Sequence, residues 1–140
     1  MVRGVSHLAD TSVLHRVARS DAVAERIRAL RSSGSLWTCD AITLELGYSA
    51  RNRHEWEMIV KAQQVLNQAP LEATQLARAR EVQGELARKG KHRVKLPDLL
   101  IAASAEAARV MILHYDADFD TIGSVTGQPV EWVLPPGTID

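Results

Sequence analysis

Leu96-Pro97-Asp98-Leu99-Leu100-Ile101-Ala102-Ala103 joins a proline, a carboxylate and five consecutive apolar residues in one short stretch. Proline opens a helix at little cost, because the N–H it lacks would be unpaired there in any case. Asp98 falls in the same first turn, where free backbone N–H groups and the positive end of the helix dipole favour a carboxylate. The run that follows has no polar face, so the helix is expected to lie buried against a sheet. Taken alone, Asp98 needs no role beyond that of a helix-capping acid.

Outward from this helix the chain alternates between short apolar runs and helical spacing. Residues 110–113 read as a strand that leads to His114-Tyr115-Asp116, and residues 119–125 as a short helix. Residues 5–9 alternate like a first strand and end at Asp10-Thr11-Ser12. Val13, Leu14, Val17, Val23, Ile27 and Leu30 recur at helical spacing, with Ser20-Asp21 placed to restart the helix. Residues 36–39 predict a second strand, and Asp40 is expected to cap a helix that carries Ile42, Leu44, Glu45, Leu46 and Tyr48. Two amphipathic segments, 55–68 and 71–88, are split by Ala69-Pro70 and predict a helical hairpin. Residues 130–133 alternate like a last strand before Pro135-Pro136. Strands separated by helices predict an α/β fold with a mainly parallel central sheet flanked by helices.

Asp10, Glu45, Asp98 and Asp116 all stand where an apolar segment ends or a helix begins. Each has an ordinary explanation by itself: a turn acid, a solvent-facing helix residue, a cap. Together they would converge on the rim where the strands of a parallel sheet end, which is where such folds bind ligands. Two unit charges roughly 4 Å apart repel by about 4 kcal/mol at an effective dielectric of about 20, so such a cluster needs a compensating cation. A hard divalent ion with oxygen ligands, Mg²⁺ or else Mn²⁺, meets that need and suits metal-assisted hydrolysis of phosphodiesters.

The 140 residues fit one domain spanning 1–140, and 46% hydrophobic with 24% charged residues is ordinary globular composition. The single cysteine, Cys39, excludes an internal disulfide and fits a reducing cytoplasm. Met1-Val2-Arg3-Gly4 precedes no long apolar run, and nowhere do 18 apolar residues follow one another, so neither a signal peptide nor a membrane span is expected. A formal net charge of zero argues against bulk attraction to nucleic acid and leaves local patches to do that work. Two basic stretches qualify: Arg88-Lys89-Gly90-Lys91-His92-Arg93-Val94-Lys95, which runs into Asp98, and Arg51-Asn52-Arg53-His54. Lys91, Arg93, Arg51 and Arg53 are the candidate phosphate contacts, although either stretch could equally be a solvated loop. Trp56 is a better helix-packing residue than a base-stacking one. His7, His92 and His114 lack zinc-site spacing, and no Gly-x-Ser-x-Gly elbow is present.

In this order, Leu8-Ala9-Asp10-Thr11-Ser12, Ile42-Thr43-Leu44-Glu45-Leu46-Gly47, Lys95 to Ala103 and His114-Tyr115-Asp116-Ala117-Asp118-Phe119-Asp120 resemble the PIN domain, and within it the VapC-type ribonuclease toxins of bacterial toxin–antitoxin pairs. Glu131-Trp132-Val133-Leu134-Pro135-Pro136-Gly137 also resembles mycobacterial members. The resemblance spans essentially the whole chain and implies a three-layer PIN-like fold. It implies that Asp10, Glu45, Asp98 and Asp116 hold one or two divalent ions, with Asp118 as a fifth ligand, and that the activity is endonucleolytic cleavage of RNA, frequently of structured RNA such as tRNA. It further implies a VapB-type antitoxin over the site and a homodimer.

The chemistry expected of such a site is in-line attack of a metal-activated water on phosphorus, with Glu45 as ligand or as the base that orients water. Ser12 either supplies a supporting hydroxyl or caps a helix. Two competitors carry less weight. A phosphatase or phosphotransfer receiver would show a second aspartate two positions after Asp10, where Ser12 stands. A non-catalytic RNA- or protein-binding module of the same fold would keep its function without metal.

Overall fold

The computed structural model describes residues 5–139; Met1 to Gly4 and Asp140, which the expected single domain includes, lie outside the described residues. The elements run β1 (His7–Ala9), α1 (Thr11–Leu14), α2 (Asp21–Ser32), β2 (Leu36–Thr38), α3 (Asp40–Tyr48), α4 (Arg53–Gln64), β3 (Asn67–Gln68), α5 (Ala73–Arg88), α6 (Leu96–Ala108), β4 (Met111–His114), α7 (Asp118–Thr126) and β5 (Val130–Trp132). All strand pairs are parallel, in the order β3-β2-β1-β4-β5.

Register and the two-residue period of a strand divide the core into two layers. Ala9 lies beside Leu113, and Leu113 beside Glu131, so these three share a face of the sheet. That face packs with Val13, Val23, Ile27 and Leu30 of α1 and α2. Leu8 and Ile112 point the other way and meet Ile42, Val82, Leu86, Leu99, Ile101, Phe119 and Ile122 from α3, α5, α6 and α7. Helix α6 buries Asp98, Leu99, Ile101, Ala102, Ala103, Ser104 and Ala105, which is the burial its apolar sequence requires. The result is the helix–sheet–helix sandwich expected of the sequence.

The strand order also sets where a site can form. From β1 the chain moves to β2 and β3 on one side, then returns to β4 and β5 on the other. The carboxyl ends of β1 and β4 are neighbours whose connections diverge, which opens a crevice at that edge. Asp10 directly follows β1, and Asp116 comes two residues after β4.

Three local expectations are corrected. Ser20 does cap α2, accepting from the Val23 N–H at 3.3 Å. Asp40, however, is the first residue of α3 rather than its cap: Cys39 holds the cap position in extended conformation, without a side-chain capping bond. Helix α4 stops at Gln64, and Asn67–Gln68 forms a short edge strand on β2, with Asn67 Nδ2 donating to the Gly34 carbonyl at 2.9 Å. Gln63 is what anchors this end of the helix, because Thr38 and Thr43 both donate to its Oε1. The hairpin does not form either: α4 packs on α3, while α5 packs on α6 and α7. Trp56 lies against Gly47, where an added Cβ would come within 3.1 Å of the indole ring, so it serves helix packing.

Candidate metal centre

Asp10 is the N-cap of α1, and its Oδ2 accepts from the Ser12 N–H at 3.0 Å. The residue is 1% exposed, and Oδ1 has no hydrogen-bond partner among the described residues. Burial raises its carboxyl above the ordinary range, Ser12 opposes this through its hydroxyl and N–H, and the Asp116 charge adds to the rise. Ser12 is thus the second residue of α1, in its first turn, and the cap role belongs to Asp10. The Ser12 hydroxyl also accepts from the Tyr115 N–H at 2.9 Å, which ties the end of β1 to the end of β4.

Asp98 sits in the first turn of α6, 4% exposed. Its Oδ2 is buried without a hydrogen bond, and the Lys95 ammonium stands 3.7 Å from it. Burial, then the charges of Asp10 and Asp116, push this carboxyl up to about 8 against the pull of Lys95. Asp116 is the opposite case. Burial would raise it, but the Lys95 ammonium bonded to its Oδ2 and the Asp118 N–H bonded to its Oδ1 at 3.0 Å together hold it below the usual range. Asp118 Oδ2 accepts from both the backbone N–H of Lys95, at 3.1 Å, and its ammonium, at 3.2 Å.

Asp98, Asp116 and Asp118 each offer a carboxylate oxygen within 4.8 Å of the others. Glu45 joins their field from α3. Its carboxyl is raised by burial and then by Asp10, while Thr11 Oγ1 donates to its Oε1 at 3.3 Å. Asp120 faces elsewhere, accepting from Trp132 Nε1 at 2.8 Å with its other oxygen 3.8 Å from His114 Nε2.

The fold therefore brings Asp10, Glu45, Asp98, Asp116 and Asp118 to one crevice and leaves Asp120 outside it. The basic candidates behave differently. Arg51 and Arg53 pair with Glu55 and Glu57 one helical turn on, with side chains 85% and 90% exposed. The i, i+4 spacing of those acids accounts for the pairing. Lys91 and Arg93 lie exposed in the loop before α6 and make no ion pair among the described residues. The residue the sequence under-read is Lys95, the last of the basic run, whose three-residue offset from Asp98 was the available signal.

Does a divalent cation suit these groups? Among the described residues, two buried carboxylate oxygens, Asp10 Oδ1 and Asp98 Oδ2, have no hydrogen-bond partner, only the latter has an ammonium near it, and buried carboxylates left short of hydrogen bonds are costly. The donors are all oxygen and exceed in charge the ammonium beside them. A hard divalent ion fits that set. Beside it, Ala41, Leu44, Glu45, Tyr48, Leu96 and Leu100 line an apolar groove of 290 Å³. Leu44, Tyr48 and Leu96 are exposed there.

Comparison with known proteins bears on the family and the fold. A family model described as "PIN domain" matches residues 8–125. The chain is 42% identical over 136 residues to Ribonuclease VapC51 of Mycobacterium tuberculosis, covering 97% of this chain and 98% of that protein. It is 39% identical over 133 residues to Ribonuclease VapC18 of the same organism, covering 93% and 96%. Among solved structures, DNA-bound VapBC from Salmonella typhimurium superposes with a TM-score of 0.72 at 19% identity, covering 94% of this chain and 100% of that chain. VapBC2 of Rickettsia felis, bound to a promoter DNA fragment, gives a TM-score of 0.72 at 17% identity, covering 91% and 98%. The solved structures establish likeness of fold; the curated relatives reach the level of family.

Proposed function

The chain belongs to the PIN-domain family and groups there with the VapC ribonucleases, and we propose that, as one PIN domain, it is the toxin of a type II toxin–antitoxin pair and a Mg²⁺-dependent endoribonuclease. Mn²⁺ would replace Mg²⁺ at the same oxygen ligands. The observation that carries this is the pair of buried oxygens without a hydrogen bond, Asp10 Oδ1 and Asp98 Oδ2, at the carboxyl edge of a parallel sheet.

Asp10, Asp98 and Asp116 are the proposed ligands, with Asp118 beside them and Glu45 as ligand or base. When bound there, the cation would supply a water of lowered pKa and positive charge against the phosphate. The protein's part is to place and tune the carboxylates. Thr11 pins Glu45 Oε1, so Oε2 is the atom to accept or orient the proton of the attacking water. Burial raises the Glu45 carboxyl, which moves it toward the range useful to a base near neutral pH. Ser12 holds Asp10 through its N–H and the end of β4 through its hydroxyl. Lys91 and Arg93 are free to meet RNA phosphates, whereas Arg51 and Arg53 would have to exchange their own acids for them.

The relatives of similar fold were solved as VapBC complexes. For this chain a VapB-type antitoxin is the proposed partner, and the apolar groove beside Glu45 supports a segment lying over the site. Exposed Trp56 and Met58 on α4 support a homodimer through the helical face. Among the described residues no helix is long and apolar enough to cross a membrane, in keeping with the proposed cytoplasmic site of action.

The test is incubation of antitoxin-free protein with total cellular RNA and Mg²⁺ or Mn²⁺, beside EDTA and Asp116→Asn controls, with fragment ends mapped by sequencing. Discrete cuts that vanish in both controls are expected. RNA left intact under every metal condition would favour the non-catalytic binding module instead.

A further inference from the structure

Lys95 places an ammonium among the carboxylates assigned to the metal. Its Nζ is 2.5 Å from Asp116 Oδ2, 3.2 Å from Asp118 Oδ2 and 3.7 Å from Asp98 Oδ2. Its backbone is fixed at the same spot, because the Lys95 N–H donates to Asp118 Oδ2 and the residue holds the N-cap position of α6 in extended conformation. The side chain itself is 63% exposed, so little packing prevents it from turning into solvent.

We propose that Lys95 is a tethered counter-cation, which holds Asp98, Asp116 and Asp118 together in the metal-free protein and is displaced when a divalent ion enters. This rests on the metal-site assignment above. A metal ion would take the carboxylate oxygens that now face the ammonium, at about 2.0–2.1 Å for Mg²⁺, and leaves no room for both charges at the centre of one cluster. Lysine suits such an exchange, being a compact point charge on a long flexible stem that takes up no fixed planar geometry. The ammonium also does part of the metal's work only: Asp10 Oδ1 stays without a partner while Lys95 is in place. Metal loading is then a competition between a bound ion and a side chain whose anchor never leaves the rim.

The experiment is a Mn²⁺ titration of wild type, Lys95→Met, Lys95→Arg and Asp116→Asn, read from the EPR signal of free Mn²⁺, with melting temperatures taken without metal. Lys95→Met should bind Mn²⁺ at least about fivefold tighter than wild type, the lower end of ordinary coupling between ligands, and should melt lower without metal. Lys95→Arg keeps the cation and adds a planar fork that grips carboxylates, so it should bind Mn²⁺ no tighter than wild type. Unchanged or weaker affinity in Lys95→Met, with wild-type binding removed by Asp116→Asn, would overturn the role of Lys95 alone. Absence of any binding that Asp116→Asn removes would overturn the metal site, and this proposal with it. If Lys95→Met does not fold, nitrogen NMR of the Lys95 side chain in wild type decides: release into solvent on adding Mg²⁺ supports the exchange, and an unmoved ammonium refutes it.

Discussion

Glu131 and Asp98 are both carboxylates packed against the parallel sheet, and they sit in opposite electrostatic states. Glu131, on β5, has Oε1 3.1 Å from His7 Nε2 and Oε2 2.9 Å from Arg26 of α2. Burial would raise its carboxyl, but Arg26 and His7 outweigh burial and hold it below the ordinary range. Asp98 has a buried oxygen without a hydrogen bond and is pushed up to about 8. One region closes its charge account within the fold; the other leaves carboxylates in excess. A structural ion network needs nothing further, whereas an uncompensated buried cluster at the edge of the sheet points to a ligand that completes it.

Replacement of one acid in each region separates the two. Asp98→Asn should lower metal-dependent RNA cleavage by at least about 10³-fold, since the charge it supplies is part of several kcal/mol of transition-state stabilisation. Its metal-free melting temperature should not fall, because Asn removes a carboxyl that burial disfavours; kinetics and a thermal melt on one preparation check both. Glu45→Gln should cost about 10²-fold in cleavage, the usual contribution of a positioned base, with folding intact by circular dichroism.

The raised and the depressed carboxyls should also answer pH in opposite senses. A carboxyl raised from 3.8 to about 8 in the fold, as in Asp98, contributes stability that is fully present below the unfolded value and lost as pH rises through about 8. Asp10 and Glu45 are shifted the same way. Glu131 and Asp116 are depressed, so their contributions are present above the ordinary carboxylate values and fall away as pH drops through the lowered ones. Metal-free protein should therefore lose melting temperature from pH 6 to pH 9. Saturating Mg²⁺ should remove that alkaline loss, because the ion binds the deprotonated site. Equal slopes with and without metal would break the contrast.

Smaller effects belong to the balanced region and the surface. Glu131→Gln should destabilise the fold by about 1–2 kcal/mol in denaturant titration, less than a fully buried pair because the side chain is 34% exposed, and should leave cleavage per folded molecule unchanged. Arg51→Ala and Arg53→Ala should each leave the denaturation midpoint where it is in wild type, as exposed i, i+4 pairs do.

The candidate site's carboxylates were legible in the sequence wherever backbone rules place them. Asp98 after Pro97 and Asp10 after a buried strand are fixed by local chemistry, and the strand order then brings them together. Contacts decided by distant packing were not legible. Residues 67 and 68 join β2 because that strand offers a free edge, which no pattern in 55–68 announces. Helix α5 turns to α6 because Val82 and Leu86 find the core there, so the hairpin suggested by Pro70 never forms. Lys95 was read only as the end of the basic run, since its contacts with Asp116 and Asp118 join residues some twenty positions apart.

The most direct test of the metal centre is a crystal of the protein grown with Mn²⁺ and an anomalous difference map at the manganese edge. A peak bonded to Asp98 and Asp116 oxygens, with Lys95 turned out of the cluster, is the expected result. A map with no peak there, and the Lys95 ammonium still held among the carboxylates at saturating Mn²⁺, would contradict it.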